Sequence, residues 1–492
     1  MKLIKKIAAI MLSVMMVLGM ASVVSAAGTT ETGTITINDA INGQKYTIYK
    51  LLDLESYDAT KKLYSYKPAT GWENFFKTDG AGNSYVDINA NGYVTWKTDV
   101  SNDKAAELAQ KALAYAKDAG NGINATAETP ATGTTVTFNN LALGYYLVDS
   151  SLGALCSLDT TNPTVTITEK NGVPSIDKKV FDGKDYSTFN YADIGEQVSF
   201  FTTVHVKKGA ENYRVYDKMS EGFELKENDN PALPAIHISS YDEGITINTV
   251  DYTVNIDGDK KGFNIQFNAN FLEKYKDKEY DINIAYQATL TGDATIGKDN
   301  ANTNKAWLTY GDNGTKSAES VTNTYTFGIP VFKYTGTDTP LAGAKFSLYS
   351  DADCIDANRI NLFEVVDKAE TYRKFITGKD VDNKKVTEIT TNDSGKFNIT
   401  GLNSGTYYLK EIEAPKGYNK LKNPIKVVIS KEGTITVDNG TTSVDKVKVQ
   451  NNTGTILPST GGNGTSLIYF LGAVLALVSG VVLITKQRMK NN

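Results

Sequence analysis

Cysteine and histidine are scarce in this sequence. Only Cys156 and Cys354 occur among 492 residues, which excludes the framework of closely spaced disulfides that stabilises many small exported domains. The two histidines, His205 and His237, are accompanied by no G-x-S-x-G, no H-E-x-x-H and no metal-spaced cluster. We therefore expect a protein that is not an enzyme and that uses no cofactor or metal.

Runs of basic residues are also missing. The formal net charge is -5 at pH 7, and no segment rich in Lys and Arg is interleaved with aromatic side chains. Such a charge balance provides no electrostatic surface for binding nucleic acid. A nucleic-acid partner is therefore not expected.

What the chain has in quantity is strand-forming residues. It contains 28 tyrosines and many Thr, Val and Ile in short runs, which favour β-strands. Asn-Gly and Asp-Gly pairs, for example at 42–43 and 257–258, separate these runs and predict hairpin turns. One segment, Asp103 to Asp118, instead has apolar residues at helical spacing before Gly120, a typical C-terminal cap. The sequence predicts a mainly β protein of tandem β-sandwich domains, with a small helical insertion in the first.

The first 26 residues have the pattern of a secretory signal peptide. Three lysines precede an apolar stretch from Ile7 to Met20, and Val24-Ser25-Ala26 fits a cleavage site of small residues. We expect the mature chain to begin at Ala27.

The other end of the chain predicts a membrane helix. Residues 467–484 are uncharged and largely apolar, and Lys486, Arg488 and Lys490 follow them. An apolar stretch of this length can cross a bilayer, and the basic residues after it favour a cytoplasmic tail.

The residues just before this helix resemble a known export signal. Leu457-Pro458-Ser459-Thr460-Gly461, the apolar helix and the basic tail resemble, in this order, the LPxTG cell-wall sorting signal of Gram-positive surface proteins. The resemblance implies that a sortase cysteine attacks the carbonyl of Thr460, releases the chain from Gly461 onward, and holds the protein as a thioester. Residues 453–492 would then be a sorting region whose membrane helix is a temporary tether.

Residues 407–418, YYLKEIEAPKGY, carry a second resemblance. They match YxLxExxAPxGY, the E-box of Gram-positive pilins, at every specified position. The resemblance covers 327–452 and implies a collagen-adhesin B-type, immunoglobulin-like C-terminal domain. It also implies an autocatalytic isopeptide bond that joins a lysine on the first strand to an asparagine on the last, beside the E-box glutamate.

Suitable residues stand at each of these positions. Lys333 lies in the predicted first strand, Asn451 follows the predicted last strand, and Glu411 is the E-box acid. An apolar pocket would lower the pKa of the lysine and raise that of the glutamate, so that a neutral amine attacks the carboxamide while Glu411 polarises it. Asn452 remains an alternative electrophile, because the sequence does not fix the phase of the strand.

Residues 173–326 resemble the middle domain of backbone pilins. The segments that carry this resemblance begin at Ile176, Tyr213 and Asn302. They imply a second isopeptide bond, between Lys178 and Asn304, with Asp217 as the acid. Lys178 is preferred to Lys179 because strand alternation places it on the same face as Ile176 and Val180. The alternatives left open are Asn302 for the electrophile and Glu196 or Glu221 for the acid.

The first domain, residues 27–172, shares a weak repeat with the last. Segments 136–149 and 396–411 both contain Phe-Asn, a Gly turn and Tyr-Tyr-Leu. Asp149 occupies the place of the E-box acid, but no Ala-Pro-x-Gly-Tyr follows and the first strand has no lysine. We expect no isopeptide bond in this domain, and hence a domain that proteases cleave more readily.

The end of the first domain resembles a pilin motif. Residues 165–171, VTITEKN, align with V-x-V-Y-P-K-N, although Thr168-Glu169 replace Tyr-Pro. In backbone pilins the lysine of this motif attacks the sortase thioester of the next subunit, which implies that Lys170 is the nucleophile between subunits.

Together these resemblances imply a major, shaft-forming pilin. The expected partners are pilus-dedicated and housekeeping sortases, identical subunits in a covalent homopolymer, minor pilins and peptidoglycan. The expected location is a fimbrium on the cell wall that supports adhesion. The alternatives are an ancillary pilin or single-copy wall-anchored adhesin, which would not need Lys170, and a wall-anchored hydrolase.

Overall fold

The computed structural model describes residues 32–58, 63–97, 102–150, 153–160, 164–169, 172–227, 235–311, 314–455 and 463–490. Four predicted features lie outside these residues: the signal peptide, Lys170, Asn171 and the LPSTG segment 457–461. The chain divides into two compact units. One runs to Gly328 and includes Thr400–Ser404, and the other consists of Ile329–Ile399 and the chain from Gly405 onward.

Residues 32–168 form two sheets with a helical insertion. The strands are β1 (Thr32–Asn38), β2 (Lys45–Asp58), β3 (Leu63–Pro68), β4 (Val86–Ile88), β5 (Val94–Trp96), β6 (Ala127–Pro130), β7 (Thr135–Ala142), β8 (Gly144–Ser150), β9 (Gly153–Thr160) and β10 (Thr164–Thr168). The helices are α1 (Glu73–Phe76), α2 (Asn102–Lys117) and a 3-10 turn (Ala119–Asn121).

In the smaller sheet β1 lies between β10, to which it is parallel, and β7, to which it is antiparallel. The larger sheet has the order β4-β5-β3-β2-β8-β9, with β6 on β2. Alternate residues of β1, β2 and β8, such as Ile35, Ile48 and Val148, form one buried core. Because side chains alternate along a strand, Leu147 of β8 points to the other face, where it joins a second core with Trp72 and Leu108.

The predicted helical insertion is confirmed by α2, but its end differs from the prediction. The helix stops at Lys117, and the side chain of Asp118 accepts a hydrogen bond from the backbone N–H of Gly120 at 2.9 Å. Gly122, with φ +64°, supplies the left-handed residue expected at Gly120. The 3-10 turn therefore moves the cap two residues along the chain.

Residues 175–325 form a two-sheet sandwich. Its strands are β11 (Ser175–Phe181), β12 (Tyr186–Ser187), β13 (Phe189–Tyr191), β14 (Gln197–Val206), β15 (Arg214–Met219), β16 (Phe223–Leu225), β17 (Ile236–Ser239), β18 (Tyr252–Ile256), β19 (Gly262–Phe267), β20 (Tyr280–Leu290), β21 (Asn302–Tyr310), β22 (Thr315–Lys316) and β23 (Ser320–Tyr325), and its helix is α3 (Ala269–Tyr275).

One of these sheets has the order β12-β11-β14-β20-β16, with β17 on β20, and the other has β13-β23-β21-β15-β19-β18, with β22 on β21. The burial of β14 and of β21 follows the period of two expected for strands with one face in the core.

Residues 327–450 form a second sandwich. Its strands are β24 (Phe327–Thr335), β25 (Thr339–Pro340), β26 (Lys345–Tyr349), β27 (Arg359–Ile360), β28 (Leu362–Glu364), β29 (Thr371–Lys374), β30 (Lys385–Val386), β31 (Ile389–Thr390), β32 (Lys396–Leu402), β33 (Gly405–Glu413), β34 (Ile425–Ile429), β35 (Ile435–Val437) and β36 (Val447–Gln450), with 3-10 turns at Asp356–Asn358 and Asp382–Lys384.

The sheet that contains the first strand has the order β25-β24-β32-β29-β28-β30, and the last strand, β36, lies parallel to β24. The facing sheet has the order β27-β26-β33-β34-β35, with β31 on β26. The first and last strands of this sandwich are therefore direct neighbours.

A final helix, α4 (Asn463–Arg488), follows. Its segment Leu467–Arg488 is long and apolar enough to cross a membrane, and its apolar side chains are not covered by the rest of the protein. The chain is thus mostly β, as the sequence predicts. The boundaries given above for the three domains remain predictions.

Candidate functional site

The middle sandwich encloses a lysine that has no contact with solvent. We define the middle cluster as Lys178, Asp217, Asn304 and Tyr286. Lys178 of β11 is 0% exposed, and its Nζ donates hydrogen bonds to Asp217 Oδ2 at 2.6 Å and to the Tyr286 hydroxyl at 2.9 Å. A longer contact, 3.4 Å, reaches Thr202 Oγ1 on the neighbouring strand β14. The lysine that alternation selected is the one that the fold buries.

Asp217 and Asn304 come from the sheet that faces Lys178. They lie on the adjacent antiparallel strands β15 and β21, where Met219 is opposite Asn304 and Asp217 is opposite Ala306. Both side chains are inward, at 2% and 0% exposure respectively. The cluster therefore connects the two layers of the sandwich through its core.

Burial governs the charges of this cluster. It lowers the pKa of Lys178, against the opposing effect of the Asp217 carboxylate. It also raises the pKa of Asp217, against the opposing effect of Lys178. Because desolvation is the largest cause at both groups, burial shifts the pair towards a neutral amine beside a protonated acid. A neutral amine is the form that can act as a nucleophile.

The alternative residues of the middle domain occupy different surroundings. Lys179 is 37% exposed and forms a salt bridge with Asp177, and both Glu196 and Glu221 are exposed. Asn302 is buried, but its side chain is fully engaged with the backbone of Thr295 and Thr324. In contrast, Asn304 Oδ1 has no hydrogen-bond partner among the described residues.

A second buried cluster lies in the last sandwich. We define the C-terminal cluster as Lys333, Glu411 and Asn451, which are 0%, 2% and 1% exposed. Lys333 is on β24, and Asn451 directly follows β36, with its backbone N–H bonded to the carbonyl of Tyr334 at 3.0 Å. Glu411 reaches these two residues from β33 in the facing sheet. The first and last strands and the E-box therefore meet at one point.

The atoms of the C-terminal cluster are close but poorly satisfied. Lys333 Nζ lies 3.2 Å from Glu411 Oε1, while Asn451 Nδ2 donates to Glu411 Oε2 at 3.1 Å. The first contact lacks hydrogen-bond geometry, so Lys333 Nζ, Glu411 Oε1 and Asn451 Oδ1 have no hydrogen-bond partner among the described residues. Buried polar atoms without hydrogen bonds lower the stability of a fold, and three of them in one place are unusual.

The surroundings of Lys333 favour its neutral form. Burial lowers the pKa of Lys333, against the opposing effect of Glu411, and the ring of Phe346 lies 5.8 Å from Nζ. Glu411 Oε2 is held by the backbone N–H of Leu421 at 2.7 Å. Asn452, the alternative to Asn451, is exposed.

The first domain contains no comparable arrangement among its described residues. Asp149 is 5% exposed, as its place in the repeat suggests, but it pairs with Lys117 of α2 at 3.1 Å. Glu169, the neighbour of Lys170 in sequence, is also buried and accepts a hydrogen bond from the Tyr46 hydroxyl at 2.8 Å. The carboxylate that replaces proline in the pilin motif is thus engaged with the core of the first domain.

The most important residue that the sequence reasoning missed is Tyr286. It lies in the middle of an alternating strand, β20, among other inward aromatic and aliphatic residues. Nothing in the local sequence separates it from an ordinary core tyrosine.

One segment of the chain matches a known family of domains. Residues 329–442 match the family described as SpaA, a prealbumin-like fold domain. We call this segment the SpaA-like domain. The SpaA-like domain contains Lys333 and Glu411, while Asn451 lies beyond the matched residues.

A wider relationship reaches beyond the SpaA-like domain. The chain is 27% identical over 279 residues to the trypsin-resistant surface T6 protein of Streptococcus pyogenes serotype M6. The matched stretch covers 52% of this chain and 45% of that relative, so it spans about half of the relative's length.

Solved structures extend the similarity to most of the chain. The T6 backbone pilin of serotype M6 Streptococcus pyogenes, described as a modular three-domain structure, aligns with a TM-score of 0.55 at 18% identity, over 88% of this chain and 100% of that chain. The full-length RrgB pilus protein from Streptococcus pneumoniae aligns with a TM-score of 0.48 at 14% identity, over 89% and 100% of the two chains. The T6 structure establishes a shared fold.

Proposed function

We propose that this protein is the major structural subunit of a covalently polymerised pilus on the surface of a Gram-positive cell. The observation that carries the proposal is the burial of a lysine, an acid and an asparagine together in each of two sandwiches, in a chain that shares its fold with a backbone pilin. Such clusters destabilise a fold unless they react or neutralise one another. In a fibre subunit, the reaction of each cluster produces a covalent bond that strengthens the subunit.

Each cluster forms one intramolecular isopeptide bond. The neutral amine of Lys178 attacks the carboxamide of Asn304, and Lys333 attacks Asn451, and each reaction releases ammonia. Asp217 and Glu411 act as the acids. Each reaction occurs once and is not turnover, so the protein is a structural subunit and not an enzyme.

The bonds strengthen the subunit. Each closes a loop of more than 100 residues, which by analogy with a disulfide stabilises the domain by about 4 to 5 kcal/mol. A chain pulled from its ends then loads a covalent bond before it loads the strand ladder, so that unfolding becomes slow. Resistance of this kind also accords with a relative named for its resistance to trypsin.

Polymerisation uses two sequence signals, the pilin motif that contains Lys170 and the LPSTG segment 457–461, which lie on either side of the two sandwiches in sequence. A pilus-dedicated sortase cleaves between Thr460 and Gly461, and Lys170 of the next subunit attacks the resulting thioester. A housekeeping sortase then attaches the finished polymer to peptidoglycan. The partners are identical subunits, the two sortases and minor pilins, and the resulting fimbrium supports adhesion.

The experiment that tests this function is the replacement Lys170→Ala in the producing bacterium. We expect the high-molecular-weight ladder seen on denaturing gels of the cell wall to collapse to monomer, while Lys179→Ala leaves it unchanged. An ancillary pilin or single-copy adhesin would show no ladder that depends on Lys170. An unchanged ladder in the Lys170→Ala strain would contradict the proposed role of this lysine.

A further inference from the structure

The two clusters differ in how the acid reaches the amide. In the C-terminal cluster, Asn451 Nδ2 is hydrogen-bonded directly to Glu411. In the middle cluster the acid is an aspartate, which is one methylene shorter, and among the described residues no hydrogen bond joins Asp217 to Asn304. The hydroxyl of Tyr286 lies between them.

This hydroxyl contacts every reacting group of the middle cluster. It donates to Asp217 Oδ1 at 2.7 Å, and it accepts from Lys178 Nζ at 2.9 Å and from Asn304 Nδ2 at 2.6 Å. We propose that Tyr286 is a catalytic residue of the middle cluster that relays a proton from Asp217 to the departing nitrogen of Asn304. The inference rests on the isopeptide chemistry proposed above.

With this relay, every bond and proton of the reaction is accounted for. The lone pair of the Lys178 amine forms a bond to Cγ of Asn304, and the π electrons of the carbonyl move onto Oδ1. The nitrogen Nδ2 is then an amine with a lone pair, so the Tyr286 hydroxyl turns its O–H from Asp217 Oδ1 to Nδ2. It donates its proton to Nδ2 while it accepts the proton of Asp217. Asp217 in turn accepts a proton from Nζ. The Cγ–Nδ2 bond breaks, ammonia leaves, the carbonyl re-forms, and both Asp217 and Tyr286 recover their initial protonation.

The environment favours a tyrosine that passes a proton on only while it receives another from Asp217. Burial, the largest cause, raises the pKa of Tyr286 well above its ordinary value. The hydroxyl therefore stays protonated until the tetrahedral intermediate forms and Nδ2 of Asn304 can accept the proton. General acid catalysis of this kind contributes a factor of roughly 10² to 10⁴ in rate.

The ring of Tyr286 is held by packing that does not involve its hydroxyl. It stacks on Phe200 at 5.4 Å between ring centres, and it meets Phe263 edge to face at 5.0 Å. Removal of the hydroxyl should therefore leave the ring in place. Tyr280 is a matched control, since it is buried on the same strand β20 and its hydroxyl has no hydrogen-bond partner among the described residues.

The test compares Tyr286→Phe and Tyr280→Phe in the full chain. Chains recovered unfolded and unlinked are refolded, and peptide mapping by mass spectrometry follows the appearance of the linked peptide pair that contains Lys178 and Asn304. We expect Tyr286→Phe to slow this bond on the order of 100-fold, and Tyr280→Phe to form it at the wild-type rate. The Lys333–Asn451 bond should form normally in both variants. Formation of the Lys178–Asn304 bond at the wild-type rate in Tyr286→Phe overturns the proposal.

A second substitution separates proton transfer from folding. A ring-fluorinated tyrosine at position 286 keeps the hydroxyl and its hydrogen bonds but makes the phenol more acidic. The relay predicts a changed rate of bond formation and a shifted pH profile, whereas a rate within about twofold of wild type at every pH contradicts it. If the wild-type chain forms no Lys178–Asn304 bond, the proposed function itself fails, and this outcome is distinct from a bond that forms without help from Tyr286.

Discussion

At the scale of single residues, both clusters place an acidic side chain where it is almost completely buried. Glu411 and Asp217 are 2% exposed, and each contacts a lysine whose pKa burial lowers. Exposed pairs of the same chemistry are common elsewhere in the chain, for example Lys345 with Glu413. Desolvation, and not the pairing of charges, is therefore what distinguishes Lys178 and Lys333 from the exposed lysines.

The first prediction concerns the C-terminal acid. Glu411→Gln keeps the size of the side chain but removes the carboxyl group that is proposed to act as the acid, so the Lys333–Asn451 bond should not form. The middle bond should be unaffected. Glu413→Gln is the control, because Glu413 lies on the same strand β33 and is 61% exposed. Peptide mapping that finds the Lys333–Asn451 link in Glu411→Gln would show that the glutamate is dispensable.

The second prediction concerns pH. As the pH falls, Lys178 gains a proton and can no longer attack; as the pH rises, Asp217 loses the proton that its acid role requires. The rate of Lys178–Asn304 bond formation should therefore be bell-shaped, with two apparent pKa values that belong to the coupled pair. Refolding at a series of pH values measures the profile. A rate that rises steadily to a plateau at high pH would mean that only the lysine has to change its protonation state.

The candidate residues that lie in a distinctive sequence pattern could be predicted, whereas Tyr286 lies in no such pattern. The E-box fixed Glu411, and strand alternation selected Lys178 over Lys179. Tyr286 could not be found in this way. Its proposed role depends on the hydroxyl reaching from β20 to Asp217 and Asn304 in the facing sheet, and strand periodicity carries no information on that contact.

At the scale of strands, the two clusters connect different pairs of elements. The proposed Lys333–Asn451 bond would join β24 to the end of its parallel neighbour β36, within one sheet. The proposed Lys178–Asn304 bond would join β11 to β21, which belong to facing sheets. In each case the linked strands lie near the two ends of their sandwich in sequence, which is the placement that protects the residues between them from extension.

The third prediction concerns mechanical extension. When the chain is pulled from its ends in a single-molecule experiment, the residues between the linked strands should not extend. Lys333→Ala should add one unfolding event that releases about 400 Å of chain, at 3.3 to 3.6 Å for each freed residue. Lys179→Ala should add none. A wild-type chain that releases this length without breaking a covalent bond would contradict the cross-link.

The elements themselves were largely predictable, because alternation and turn residues specify strands locally. The end of α2 was not. Gly120 was the expected cap, but the hydrogen bond between Asp118 and the N–H of Gly120 adds a 3-10 turn and moves the left-handed position to Gly122. Competition between a side chain and the backbone for one N–H depends on geometry that composition does not specify.

At the scale of the whole molecule, the chain is expected to be unevenly stabilised. Residues 175–325 and 327–450 each enclose a cluster, whereas in the described part of 32–168 the corresponding acid, Asp149, pairs with a lysine of α2. Together with the predicted signals at both ends of the chain, this distribution suits a subunit whose two later domains bear load.

The fourth prediction follows from this uneven distribution. Limited digestion with trypsin should cut within residues 27–172 first and leave a fragment that contains both cross-linked sandwiches. The double variant Lys178→Ala, Lys333→Ala should lose this resistance, because each missing bond removes about 4 to 5 kcal/mol of stability. Gel electrophoresis and mass spectrometry of the fragments measure the order of cleavage. Early cuts within the wild-type sandwiches would contradict the prediction.

The central claim is that the folded chain contains two isopeptide bonds, and intact-mass measurement tests it most directly. Each bond releases one ammonia, so the folded wild-type chain should be lighter than its sequence by about 34 Da, and Lys178→Ala or Lys333→Ala should each reduce this deficit to about 17 Da. A wild-type mass equal to that of the sequence would contradict the account.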